Sequence, residues 1–134
     1  MSVEMIYLTL TALLAASLWI PFIIGVNTQT VKDMSDFTRP PDLSDLPPWI
    51  HRAWRAHLNL IEQFLPFAVI VLIAHLQGVS TGVTVWASVA FFWIRLAHAA
   101  GMITGVARFP VRPVIFTAGW VCILLIGWQV LAHG

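Results

Sequence analysis

Three polar residues, Arg55, Asn59 and Glu62, interrupt a run that is otherwise apolar enough to enter a bilayer: Arg55-Ala-His-Leu-Asn59-Leu-Ile-Glu62-Gln-Phe-Leu-Pro66-Phe67. At about 100° per residue, Arg55, Asn59, Glu62 and Pro66 fall at roughly 0°, 40°, −20° and 20°, so they share one helical stripe, with His57 on the opposite side. An ionised side chain at mid-bilayer costs about 2.5–3.5 kcal/mol on insertion scales, so it faces an interior, pairs with an opposite charge or lines a ligand site. More such residues follow. Arg95 and His98 lie in the third apolar run, Arg108 stands just before the fourth, and Arg112 begins it. Arg55, Arg95, Arg108 and Arg112 have only Glu62 as a nearby acid, a surplus of positive charge that suits an acidic guest held by charge-assisted hydrogen bonds. A purely structural reading stays open beside this one: Glu62 pairs with Arg95 or Arg55, Asn59 bridges helices, and Arg108 and Arg112 snorkel to the membrane surface.

These residues belong to a chain of 134 residues that is 59% hydrophobic and 10% charged, with a mean hydropathy of +0.85. A soluble domain is about 45–50% apolar and 25% charged, so the composition is that of an integral membrane protein. A net charge of +1, spread along the chain, gives no electrostatic footprint for nucleic acid. The lone cysteine, Cys122, sits in an apolar run and reads as a small hydrophobe. His51, His57, His75 and His133 show no paired metal-ligand spacing, and no metal is expected. Neither a nucleophile–base pair nor a glycine-rich phosphate loop is present. The first apolar run reads as a retained span, because its leading residues carry Glu4 and no Lys or Arg, and no small-residue cleavage site follows.

A bilayer core takes about 20 apolar residues per helix, and four runs meet that need: Val3 to Val26, His57 to Leu76, Val83 to Thr104 and Val111 to Ala132. The expectation is therefore an all-α, integral membrane four-helix bundle, up-down-up-down, in which residues 1–134 form one domain. Residues 27–48, rich in Asp, Thr, Ser and Pro, read as a polar loop; Pro47 and Pro48 fall just before or in the first turn of the second helix, which starts in water, with Ser44 or Asp45 as helix caps. Pro21 and Pro66 are expected to kink their helices. Lys32, Arg39, Arg52, Arg55, Arg108 and Arg112 all fall on one side, so the positive-inside rule makes the first and third loops cytoplasmic and sets both termini opposite. Trp19, Trp49, Trp54, Trp86 and Trp128 lie near span ends, as an aromatic belt requires, whereas Trp93 and Trp120 read as packing residues.

The helix-two run resembles the signature of the MAPEG family, the membrane-associated proteins in eicosanoid and glutathione metabolism. Phe92-Trp93-Ile94-Arg95-Leu96-Ala97-His98 and Arg108-Phe-Pro110-Val-Arg112 agree with it, as do the chain length and the four spans. Trp19-Ile-Pro21-Phe is similar to the short bacterial members, which implies a bacterial inner membrane. The resemblance further implies a homotrimer that holds glutathione between adjacent subunits near the cytoplasmic face, with a lipophilic electrophile arriving from the lipid bilayer. On that resemblance Arg55 and Asn59 contact the peptide, Glu62 meets the γ-glutamyl ammonium, and Arg95, His98 and Arg108 complete the cofactor-binding set. Arg112 matches the family arginine near the thiol and is the catalytic candidate, since a guanidinium beside sulfur stabilises the thiolate.

Three positions depart from the family pattern. Met102 stands where a tyrosine is common, and Pro113 and Phe116 stand where the eicosanoid enzymes have a serine and a tyrosine. Two main hypotheses follow: a glutathione-dependent transferase or peroxidase, or a non-catalytic membrane protein that binds a lipid or a partner. A small multidrug-type transporter is a third class, disfavoured because its essential carboxylate usually lies in helix one, which here has only the near-terminal Glu4.

Overall fold

The computed structural model describes residues 1–28 and 44–134. Among the described residues there are five helices: α1 (Val3–Ser17), α2 (Ile20–Thr28), α3 (Pro48–Leu76), α4 (Gly82–Thr104) and α5 (Val111–His133). The protein is all-helical, and α1 with α2 forms the first of four segments long and apolar enough to cross a membrane. It is a multi-pass integral membrane protein. The polar stretch that contains Lys32, Asp33, Asp36, Arg39 and Asp42 lies outside the described residues.

The first span is broken where Pro21 predicts. A proline nitrogen has no hydrogen for the carbonyl four residues back, and its ring crowds that carbonyl. Accordingly α1 ends at Ser17 and α2 starts at Ile20, joined through Leu18 and Trp19. Pro66, by contrast, sits inside α3 without ending it, and deprives the Glu62 carbonyl of its helical donor. Helix α3 begins at Pro48, ahead of the apolar run that starts at His57, with Pro47 and Pro48 just before and in its first turn as their tolerance there predicts. Its extra turns are held by packing, because Ile50 and Ala53 are buried against Phe22 and Val26 of α2. Pro47 stands at the N-cap position, and its side chain makes no capping hydrogen bond.

The short connections after α3 and α4 turn α3, α4 and α5 into antiparallel neighbours. Thr81 and Thr84 form a reciprocal capping box at the start of α4. Its end is set by Gly105, whose φ of 77° is a left-handed conformation that a side chain would strain. Helix α4 packs against α1, α3 and α5. At mid-bundle Phe67 and Phe91 stack with ring centroids 4.0 Å apart, among Leu8, Val71, Cys122, Ile123 and Ile126. Trp93 and Trp120 depart from expectation: both are more than half exposed. The buried face of α4 runs through Ala87, Phe91, Arg95, His98 and Met102, which turns Trp93 away from the protomer core.

Candidate functional site

Arg95 and His98 are one helical turn apart on α4, so they share a face, and that face is buried: Arg95 is 0% and His98 1% exposed. A buried guanidinium needs partners, or it carries a desolvation cost of several kcal/mol. Arg95 Nη1 donates to Gln63 Oε1 at 3.0 Å. The Nε2 of the same Gln63 donates to the Phe116 carbonyl oxygen at 3.0 Å. One amide thus ties α4 to α3 and α3 to α5. Gly119 makes room for it, because a Cβ there would stand 2.6 Å from Gln63 Oε1. The Arg95 guanidinium also lies 5.8 Å from the Phe116 ring centroid, within the range of a cation–π contact.

In front of this scaffold is a pocket of about 480 Å³, within the roughly 300–1,000 Å³ of small-molecule sites. Asn59, His98 and Arg112 supply its polar lining. Phe109, Pro113 and Phe116 supply an apolar wall, and Thr117 adds a hydroxyl. The Thr117 Oγ1 donates to the Pro113 carbonyl at 2.8 Å, so its own lone pairs remain available. Asn59 Nδ2 donates to the Met102 sulfur at 3.7 Å, which fixes the amide at the pocket edge.

Several buried nitrogens here have no hydrogen-bond partner: Nε and Nη2 of Arg95 and both ring nitrogens of His98. Buried polar groups are ordinarily satisfied, so an unpartnered cluster beside a cavity is a set of donors and acceptors awaiting a ligand or water. Arg112 lines the pocket together with His98, and the buried Arg95 stands one helical turn from His98. The local field is positive, and it favours an anion.

Of the seven residues singled out from sequence, Asn59, His98 and Arg112 line the pocket and Arg95 stands behind it. Arg55 and Glu62 do not join them: both are exposed on the outer face of α3. The helical geometry explains the split, since the buried line of α3 through Ala56, Leu60, Gln63 and Phe67 is centred roughly 100° round from the Arg55–Glu62 stripe. Asn59, at the stripe's edge, alone reaches inward. Arg108 is exposed and donates to the Gly105 carbonyl of its own loop at 3.3 Å. Arg95 takes Gln63 as its partner rather than Glu62. Gln63 and Thr117 went unnoticed in the sequence, although Gln63 was detectable as a polar residue in register with the apolar face of α3.

No curated protein is similar enough to this chain to count as a match. The MAPEG family, in contrast, matches residues 6–132, nearly the whole chain, and this four-span membrane protein belongs to that family.

Proposed function

We propose that the protein is a membrane-embedded, glutathione-dependent transferase or peroxidase acting on a lipophilic electrophile. The observation that carries this reading is the set of unpartnered Arg95 and His98 nitrogens behind a pocket lined by Arg112. The residues suit the peptide: glutathione has two carboxylates and one ammonium, and cationic and amide donors replace the water its carboxylates lose on entry. When bound, it supplies a thiol that reacts as the thiolate. Arg112 holds negative charge at the sulfur position, His98 and Arg95 hold a carboxylate, and Asn59 orients the backbone. The Phe109–Pro113–Phe116 wall gives a lipophilic substrate an apolar approach and keeps water away from the reacting atoms.

Arg55 and Glu62 enter this reading through a second copy of the chain. Charged side chains on the outer face of a membrane helix need cover from lipid, and a homotrimer provides it by seating that stripe against a neighbour. The ligand then lies between subunits, with Glu62 on its ammonium. The positive-inside rule supports a cytoplasmic position for this end of the bundle, and the resemblance to short bacterial members implies a bacterial inner membrane.

A second reading, a non-catalytic lipid- or partner-binding protein, is favoured by the pocket wall, where Phe116 and Pro113 occupy positions that carry hydroxyls in the eicosanoid enzymes. Purified protein in detergent, given glutathione with a lipophilic aryl halide or with a lipid hydroperoxide, separates the two. Saturable turnover above the protein-free rate supports the enzyme; glutathione binding without turnover on either substrate supports the second reading; absence of glutathione binding contradicts the site.

A further inference from the structure

At the opposite end of the bundle a second polar centre surrounds Glu4. This carboxylate belongs to the first turn of α1, yet is only 6% exposed. Its Oε1 accepts hydrogen bonds from Ser80 Oγ at 2.8 Å and Thr84 Oγ1 at 2.7 Å. Its Oε2 is buried with no partner. Beside it is a cavity of about 210 Å³, which Glu4 lines with Ser2, His75 and Ser80, against an apolar floor of Val71 and Ala74. The described arginines, Arg52, Arg55, Arg95, Arg108 and Arg112, all lie toward the other end of the bundle. A buried, half-satisfied anion is costly unless a cation or strong donor meets it.

We propose that this cavity binds a primary ammonium group, with Glu4 as its counter-ion. Such a group carries three N–H donors, which match Glu4 Oε2 and the Ser80 hydroxyl oxygen; Ser2 Oγ, which accepts the Met5 N–H at 3.3 Å as the α1 cap, keeps a second lone pair for the third. A quaternary ammonium has no N–H to give and would leave Oε2 without a hydrogen bond. A multivalent metal is a poorer fit, because no cluster of three or more His, Cys, Asp or Glu side chains occurs among the described residues. The cavity is lined by the first residues of α1, the end of α3 and the turn before α4, and the ends of helices that span a bilayer core fall at headgroup depth. The ammonium therefore comes from an ethanolamine phospholipid or from a free amine.

The two sources are distinguished with the whole protein. Wild type, Glu4→Gln and His75→Lys are compared in nanodiscs of matched-chain phosphatidylethanolamine and phosphatidylcholine, with retained lipid counted by native mass spectrometry. Free ethanolamine and tetramethylammonium are titrated calorimetrically in detergent. His75 is exposed, so His75→Lys leaves the core intact while placing a competing ammonium at the cavity. Wild type is expected to retain ethanolamine lipid at least fivefold over choline lipid, and both variants to bring that ratio near one. Equal lipid retention, with ethanolamine but not tetramethylammonium binding only to wild type, assigns the site to a free amine. The proposal is overturned if wild type discriminates neither pair, or if His75→Lys keeps the full preference.

Discussion

Arg95 and Gln63 meet through a single hydrogen bond of 3.0 Å, and the other end of the same amide holds the carbonyl of Phe116. Helices α3, α4 and α5 are thereby locked at the depth of the pocket, and the cation behind the pocket is held in place. Replacing Gln63 by Leu keeps the bulk but removes both bonds. A hydrogen bond to a charged group contributes about 1.5–3 kcal/mol, so Gln63→Leu is expected to destabilise the bundle by that amount. Thermal or denaturant unfolding in detergent checks this; an unchanged midpoint would show that Arg95 finds an equal partner elsewhere.

Gly119→Ala is expected to act through the same amide, since the new Cβ would stand 2.6 Å from Gln63 Oε1. Truncating that amide to alanine should therefore relieve the clash. In a double-mutant cycle, Gly119→Ala in a Gln63→Ala background is expected to cost at least 0.5 kcal/mol less than in wild type, the order of coupling seen between contacting residues. Simple additivity would mean that the glycine matters for another reason.

Thr117 is the hydroxyl in the pocket, and its neighbours Pro113 and Phe116 offer none. Thr117→Val preserves shape and removes the oxygen. Losing one neutral hydrogen bond of about 1 kcal/mol predicts a roughly fivefold weaker glutathione affinity, restored in Thr117→Ser. Equilibrium binding measures it, and equal affinity in Thr117→Val would remove Thr117 from the site.

Arg108 serves as the contrast. It is exposed and bonded within its own loop, so Arg108→Ala is expected to change glutathione affinity by less than about twofold, within the ±0.5 kcal/mol of an ordinary surface substitution. A tenfold loss would bring Arg108 into the binding set. Glu62→Gln is the opposite case, because its effect requires the neighbouring subunit. About tenfold weaker binding is expected in the oligomer, and binding unaffected by Glu62→Gln would contradict an intersubunit site.

Hydropathy runs were enough to identify four spans, and the cost of intramembrane charge marked Arg55, Asn59, Glu62, Arg95 and His98 as residues needing a reason. What they do within one protomer was not readable from one helix at a time. The rotation of α3 is decided by which of its faces α4 and α5 cover, so a stripe that looks continuous on a helical wheel divides into an inward Asn59 and outward Arg55 and Glu62. Gln63 was hidden for a related reason: glutamine draws no attention beside a glutamate until its register with Leu60 and Phe67 is noticed. The start of α3 at Pro48 was legible from the Pro47-Pro48 pair rather than from hydropathy, since packing of Ile50 and Ala53 holds those turns.

The most direct test of the account is glutathione thiolate formation on the purified protein, followed by ultraviolet difference absorbance in wild type and Arg112→Ala. Wild type is expected to develop the thiolate band on saturating glutathione at neutral pH. Arg112→Ala is expected to lose roughly tenfold of that signal, as removal of one charge-assisted contact allows, while retaining bound peptide. An equal thiolate band in both proteins, or none in wild type that has bound glutathione, would contradict the assignment of Arg112.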